Sequence, residues 1–429
     1  MVREWVTSAG GRYGTPTLLR ALQAVLAALL VLLGVAGVLA AQDRVGATDE
    51  IATRLQPLSM DATAVYRSLA SADATVTSGF LAGGVEPAAV QARYASDVSA
   101  AADGIAHAAT QSTDAATADR IAALGEQLPT YTGLVEQARA NNRRGLPVGA
   151  AYLRRASDLM QTSMLPAAES VRARQAQLLD DAHRRAASFP VGALLAALLA
   201  LAGLGLGQVW LARRFHRVLN RGLVVATASV LVGLLWWVAA GIGAGASLRL
   251  AHAHGEALND GLGPAQVAAL QARASENLAL VQRDGGRTEQ DFVDRMQRLS
   301  RDDGAGGALG AAAALVPDRG GRDAVLAAVR GAHDYLAAHD RVHAAAVAGR
   351  YGDAVRLAES AQPDGSAAAF DRLTAALDAS EHEQRAAFTE AITAAKAWRT
   401  GLVAGTGALA LLAVVGAVLG IGTRGEEYR

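Results

Sequence analysis

The sequence predicts an all-α integral membrane protein with four transmembrane helices and two extracytoplasmic antiparallel four-helix bundles, arranged as a tandem duplication. Three observations carry that prediction. Four apolar stretches of about twenty residues each interrupt an otherwise polar, Ala-rich chain of 429 residues. Residues 213–221 (RRFHRVLNR), with four arginines and no acidic residue, separate the second stretch from the third. The long polar segments on either side of this pivot share turns at a nearly fixed offset.

Composition narrows the function classes first. The formal net charge is +0, so no whole-protein field attracts nucleic acid and none is expected as a partner. Aromatic residues make up 4%, few for an enclosed globular core, although Ala-rich helices packed lengthwise manage with small residues. Without cysteine there is no disulfide, thiol chemistry or Cys-ligated metal.

The N-terminal residues 1–17 carry Arg3 and Arg12 against Glu4 and lead into an apolar block at 18–41. That block exceeds the roughly 7–15 apolar residues of a signal peptide, so it reads as an uncleaved anchor, with cleavage near Ala40 and Ala41 as the alternative. Further spans read at 189–212, 222–246 and 400–422, with a short tail at 423–429 that includes Arg424. Arginines near the span ends assign 1–17, the loop 213–221 and the tail to the cytoplasm. The segments 42–188 and 247–399 then lie outside, giving a multi-pass protein of the cell membrane with both termini inside. Trp210, Phe189, Trp236, Trp237 and Trp398 suit interfacial anchoring. No charged residue lies well inside a span, the polar exceptions being Gln23 and Gln208, which argues against a transporter or pump. Small residues four apart at Gly203 and Gly207, Gly241 and Gly245, Gly401 and Gly405, and Gly416 and Gly420 mark candidate helix-packing faces.

Segment 42–188 reads as helix nearly throughout. Leu58, Ala62, Val65, Leu69, Ala72 and Val76 form a 4-3 seam, and Gly83, Gly84 and Pro87 end that helix and open the next. A third helix follows a polar turn near 111–114 and bends at Pro129; NNRRGLP at 141–147 turns into a fourth, which Pro166 and Pro190 interrupt. Segment 247–399 repeats the plan. Gly285 and Gly286 fall 202 positions after Gly83 and Gly84, and GRYGD at 349–353 follows GLPVG at 145–149 by 204. AAYLRRAS at 150–157 parallels AVRLAESA at 354–361. The last helix carries a seam from Phe370 through Leu373, Leu377, Ser380, Gln384, Ala387, Ala391 and Ala394 to Trp398. GAGGALGAAAALVPDRGG at 304–321 reads as a floppy loop.

Motifs with chemistry are sparse. His339 and His343 have the i, i+4 spacing that puts two imidazoles on one metal, but the sequence offers no clear third ligand, and solvated polar residues are the plainer reading. His252 and His254 do not share a helix face, and Glu381, His382 and Glu383 read as an exposed face. No phosphate loop, nucleophile elbow or zinc-protease motif occurs, so no enzyme, catalytic residue, metal or cofactor is expected. Asn142, Arg143 and Arg144 at one bundle tip, with Arg350 and Tyr351 at the other, are candidate contacts for an outside partner or ordinary turn chemistry. Arg213, Arg214, Arg217 and Arg221 serve topology and membrane lipid headgroups, with a cytosolic partner as a second use.

Each half, a span, four helices and a span, resembles the four-helix-bundle sensor modules of bacterial chemoreceptors and histidine kinases. The whole chain, with no cytoplasmic output domain, is similar to the GlnX membrane proteins of actinobacteria. The stretch LPTYTGLVEQARANNRRGLPVGAAYLRRASDLMQTSMLPAA at 128–168 carries most of the likeness. The resemblance implies a non-catalytic signalling link. An extracytoplasmic solute-binding lipoprotein, sensing glutamate, aspartate or glutamine, would engage it outside, and a cytosolic Ser/Thr protein kinase of the protein kinase G type would be controlled inside. A scaffold of a cell-envelope assembly, an accessory transporter subunit and a homo-oligomer are the competing arrangements.

Overall fold

The computed structural model describes residues 15–81, 86–111, 115–187, 191–215, 220–282 and 287–426. Among them nearly every residue is helical and no strand forms, beyond one isolated bridge between Arg301 and Gly306. The first half contains α1 (Thr15–Glu50), α2 (Gln56–Leu81), α3 (Ala88–Gln111), α4 (Ala115–Arg143), α5 (Val148–Leu159), α6 (Leu165–Ala187) and α7 (Val191–Phe215). The second contains α8 (Arg221–Glu256), α9 (Gly263–Gln282), α10 (Arg287–Leu299), α11 (Gly307–Leu315), α12 (Arg319–Val347), α13 (Tyr351–Glu359), α14 (Ser366–Arg399) and α15 (Leu402–Glu426). Helical stretches within Leu19–Leu81, Val148–Arg213, Arg221–Gln282 and Ser366–Gly422 are long and apolar enough to cross a membrane. The hairpin breaks at Gly83, Gly84, Gly285 and Gly286, and Pro190, lie outside the described residues.

Three π-helical segments, Ile51–Leu55, Met160–Met164 and Ala257–Leu262, share one cause. Each is followed two residues on by a proline, namely Pro57, Pro166 and Pro264. A proline inside a helix lacks the N–H donor and drives its ring against the carbonyl four residues back. A wider turn just before it relieves that clash without ending the helix. Pro129 lies within α4, which runs on through it.

The chain forms two compact units. One comprises Ile51–Ala182 with Leu250–Ala391, so both long polar segments fold into it. Its core runs continuously from Val65, Leu69 and Val76 on α2 to Leu270 and Leu278 on α9, and on to Phe292, Tyr335, Leu373 and Leu377. Helices α2 and α9 lie side by side and parallel. Ser59 hydrogen-bonds Asn259 (3.2 Å), Arg67 bonds Gln266 (3.3 Å), and Asn277 bonds Ser78 (2.7 Å), contacts that advance together along both helices. The seam Ala62, Val65, Leu69, Ala72 and Val76 is buried there.

Two expectations in the second segment are corrected. Residues 304–321 are not a floppy loop. Leu309, Ala312 and Val316, spaced three and four apart, bury one face of α11 and its C-cap, and Ala312 sits where a Cβ on Gly261 would fall. The seam of α14 also changes face. After Gln384 Ala391 is buried as expected, but Phe388, Ile392 and Ala395 are buried too, while Ala387 and Ala394 are half-buried and Trp398 is exposed. Bulk explains the shift, because Phe388 and Ile392 bury more area than the alanines.

The other unit comprises Met1–Glu50, His183–Arg249 and Ile392–Arg429. Its interior holds Leu26, Leu30, Leu204, Leu223, Ala226, Ala413 and Ala417, whereas Leu32, Leu39, Leu199, Leu206, Leu235, Ile242 and Leu411 are more than half exposed. An outer surface of this kind is stable in lipid and costly in water. Polar groups inside it are paired between helices. Gln23 donates to Val418 O, Gln208 to Thr227 Oγ1 and the Trp237 indole to Thr406 Oγ1.

Candidate functional site

Each polar segment carries one wholly buried carboxylate on its first long helix, Asp73 on α2 and Glu276 on α9. Each carboxylate faces a wholly buried tyrosine from a later helix of its segment, Tyr131 on α4 and Tyr335 on α12. The acids and the tyrosines recur at nearly the repeat offset seen in the turns. The duplication therefore extends to the buried chemistry.

The surroundings of the two acids differ. Glu276 accepts from Arg273 Nη1 (2.6 Å), Tyr335 Oη (3.1 Å), His339 Nδ1 (3.1 Å) and Ser366 Oγ (2.7 Å). Burial pushes its carboxyl up, but Arg273, His339 and Ser366 outweigh burial and hold it at about 2. Arg273 also donates to Ala358 O (3.0 Å) and lies 5.7 Å from the Phe370 ring. His339 stacks on Phe292, with centroids 3.4 Å apart, and its Nε2 meets Glu289 Oε1 at 3.1 Å. Burial pushes this imidazole down, yet the two flanking carboxylates outweigh burial and raise it to about 9. His343 Nδ1 reaches the other oxygen of Glu289 at 2.9 Å. Two cations and two anions, Arg273, His339, Glu276 and Glu289, thus balance within one cluster.

Among the described residues no cation hydrogen-bonds Asp73, and Arg295 acts on it only at longer range. Its Oδ2 accepts from Ser157 Oγ and Gln161 Nε2, both at 2.9 Å. Its Oδ1, the hydroxyls of Tyr131 and Tyr94 and Gln161 Oε1 are buried without a hydrogen bond of standard geometry, and Asp73 acts electrostatically on Tyr131. Burial, the largest influence, pushes the Asp73 carboxyl up. Gln161 is delivered by the π segment before Pro166, which turns this side chain toward α2.

Residues 47–184 match the model of the actinobacterial sensor domain. The match supports an actinobacterial sensor protein and agrees with a non-catalytic role. It covers the first segment, with Asp73, Tyr94, Tyr131, Ser157 and Gln161 all inside it. Among curated proteins and among solved structures, none matches the chain.

The residues singled out from the sequence fall as follows. Arg143, Arg144 and Arg350 are exposed and Asn142 is half-buried, while Tyr351 is tied down through its hydroxyl to Leu280 O at 2.8 Å. Arg213 and Arg221 are exposed; Arg217 and the side chain of Arg214 lie outside the described residues. A Cβ on Gly203 or Gly207 would touch Leu26, one on Gly405 would strike Trp236, and ones on Gly416 and Gly420 would meet the backbone of Gly222. Gly401 has φ +76°, a turn conformation that joins α14 to α15. Gly241 and Gly245 instead line an apolar cavity of about 110 Å³ together with Gly34, Gly37 and Gly233. Sequence reasoning missed Asn220, whose Oδ1 caps α8 at Gly222 N while its amide donates to Gly420 O. It also missed Arg399, which reaches Arg44 O, Thr48 Oγ1 and Ala186 O, tying three helices together. Glu289 supplies the third group that the spacing of His339 and His343 lacked.

Proposed function

We propose that the protein is a multi-pass membrane signal transmitter, with both termini and the loop 213–221 in the cytoplasm and the segments 42–188 and 247–399 outside. An amino-acid-binding lipoprotein of the glutamate, aspartate or glutamine class docks outside, and a cytosolic Ser/Thr protein kinase of the protein kinase G type reads the result inside. The observation that carries the reading is the sensor-domain match over residues 47–184, in a chain whose second segment repeats the same buried acid and tyrosine. Exposed arginines at both tips, Arg143, Arg144 and Arg350, suit an outside partner, and exposed Arg213 and Arg221 suit lipid headgroups and a soluble inner partner. Docking shifts the population of two helix packings only if the partner binds one of them more tightly.

In-cell cross-linking followed by detergent purification and mass spectrometry tests the partners. Co-recovery of a solute-binding lipoprotein and a soluble kinase is expected; recovery of envelope-assembly proteins alone sinks the reading in favour of a scaffold. The orientation is read separately. The chain has no native cysteine, so Arg143→Cys and Arg350→Cys should label with an impermeant maleimide on intact cells, and Arg221→Cys only after permeabilisation.

A further inference from the structure

We propose that Glu289, His339 and His343 bind a single divalent transition-metal ion of the zinc class. The three offer one ligand atom each, and those atoms lie within 4.8 Å of one another. The set is two imidazoles one helical turn apart on α12 and a carboxylate from α10, the mixed nitrogen and oxygen donors that such ions prefer. In a tetrahedron with bonds of about 2.1 Å, ligand atoms stand about 3.4 Å apart. Glu289 Oε1 already lies 3.1 Å from His339 Nε2 and Oε2 lies 2.9 Å from His343 Nδ1, so the carboxylate bridges the two imidazoles, and side-chain adjustments from within 4.8 Å bring one atom of each group to that spacing.

The support behind the ligands is what separates this cluster from a surface ion pair. His339 directs Nε2 at Glu289 because Nδ1 donates to Glu276. A ligating histidine whose other nitrogen is fixed by a carboxylate is the usual outer arrangement of zinc sites. Here that carboxylate is itself held by Arg273, Tyr335 and Ser366, and the imidazole plane is held by Phe292. Arg273 already neutralises Glu276, so His339 gives up its Nε2 proton to solvent as the ion takes that nitrogen. The His343 side chain is 37% exposed and that of Glu289 22%, which leaves an approach from solvent and a fourth position for water. The bound ion would clamp α10 to α12. The inference does not depend on the signalling reading.

The test uses the full-length chain in detergent, stripped with chelator and titrated with Zn²⁺ by calorimetry and with Co²⁺ by visible absorption. One ion per chain and Co²⁺ d–d bands of a four- or five-coordinate site are expected. His343→Ala and Glu289→Gln should each weaken Zn²⁺ binding about a hundredfold or more, beyond the roughly ten- to hundredfold cost of losing an outer-shell partner. His343 is partly exposed, so His343→Ala should keep the helical circular dichroism and the metal-free unfolding temperature of the parent, whereas Glu289→Gln, which removes one anion of the cluster, should keep the circular dichroism. His333→Ala, an exposed histidine on the same helix, should bind as the parent does. No saturable binding to the parent, or binding that survives both His343→Ala and Glu289→Gln, overturns the proposal.

Discussion

Asp73 and Glu276 hold equivalent places, yet their environments give them opposite dependences on pH. Glu276 is held below its ordinary value, so its contribution to stability is complete above 4.5 and is lost as pH falls toward about 2. Asp73 is raised by burial, so its contribution is complete below its ordinary value of 3.8 and is lost as pH rises through the folded value. Asp73→Asn should therefore unfold at a higher temperature than the parent at pH 8, and the gap should close as pH falls below 3.8. Equal gaps at both ends would contradict the assignment. Glu276→Gln leaves Arg273 buried without its anion and takes one of two carboxylates from His339, and should lower stability by about 3–5 kcal/mol, measured by unfolding in detergent. The sequence exposed the pair His339 and His343 through its spacing but not Glu289, because that partner sits on another helix and only tertiary packing brings it near. Asp73 and Glu276 were invisible for the same reason: a lone acid in a helical seam looks solvated until the neighbouring helices close over it.

Helix periodicity and turn residues made the elements legible, and the errors arose where two signals competed. In 304–321 glycine density outweighed the 3-4 spacing of Leu309, Ala312 and Val316, although the spacing governs once a neighbour such as Gly261 offers a face. In α14 an even 3-4 count was carried past Gln384, whereas the large side chains Phe388 and Ile392 set the buried face. From the sequence Pro166 reads as an interruption, but Pro166, like Pro57 and Pro264, coexists with a continued helix because the preceding turn widens. Small-residue pairs did not all behave alike. Gly416 and Gly420 admit the backbone of Gly222, while Gly241 and Gly245 meet no neighbouring helix. Gly420→Leu should accordingly force α15 away from α8 and cost about 1–3 kcal/mol, whereas Gly241→Leu should cost less. Thermal unfolding of the two variants side by side, with equal losses as the adverse result, checks this.

At the scale of the molecule, both polar segments share one core, with α2 and α9 parallel and in register. The two copies contribute to one core within the same chain, and each remains free to diverge. Divergence is visible where Val135 occupies the place that His339 holds in the repeat. A cysteine pair built into the cysteine-free chain, Ser59→Cys with Asn259→Cys, should oxidise to a species that still migrates as one chain. A ladder of linked chains would contradict the intrachain pairing. The consequence reaches into the cell. Receptors that assemble from separate subunits obey mass action, and their paired fraction falls when expression is low. Here the two halves are supplied in equal number by a single translation event, and their encounter is first order. The paired state, and any response built on it, should be the same at ten copies per cell as at a thousand.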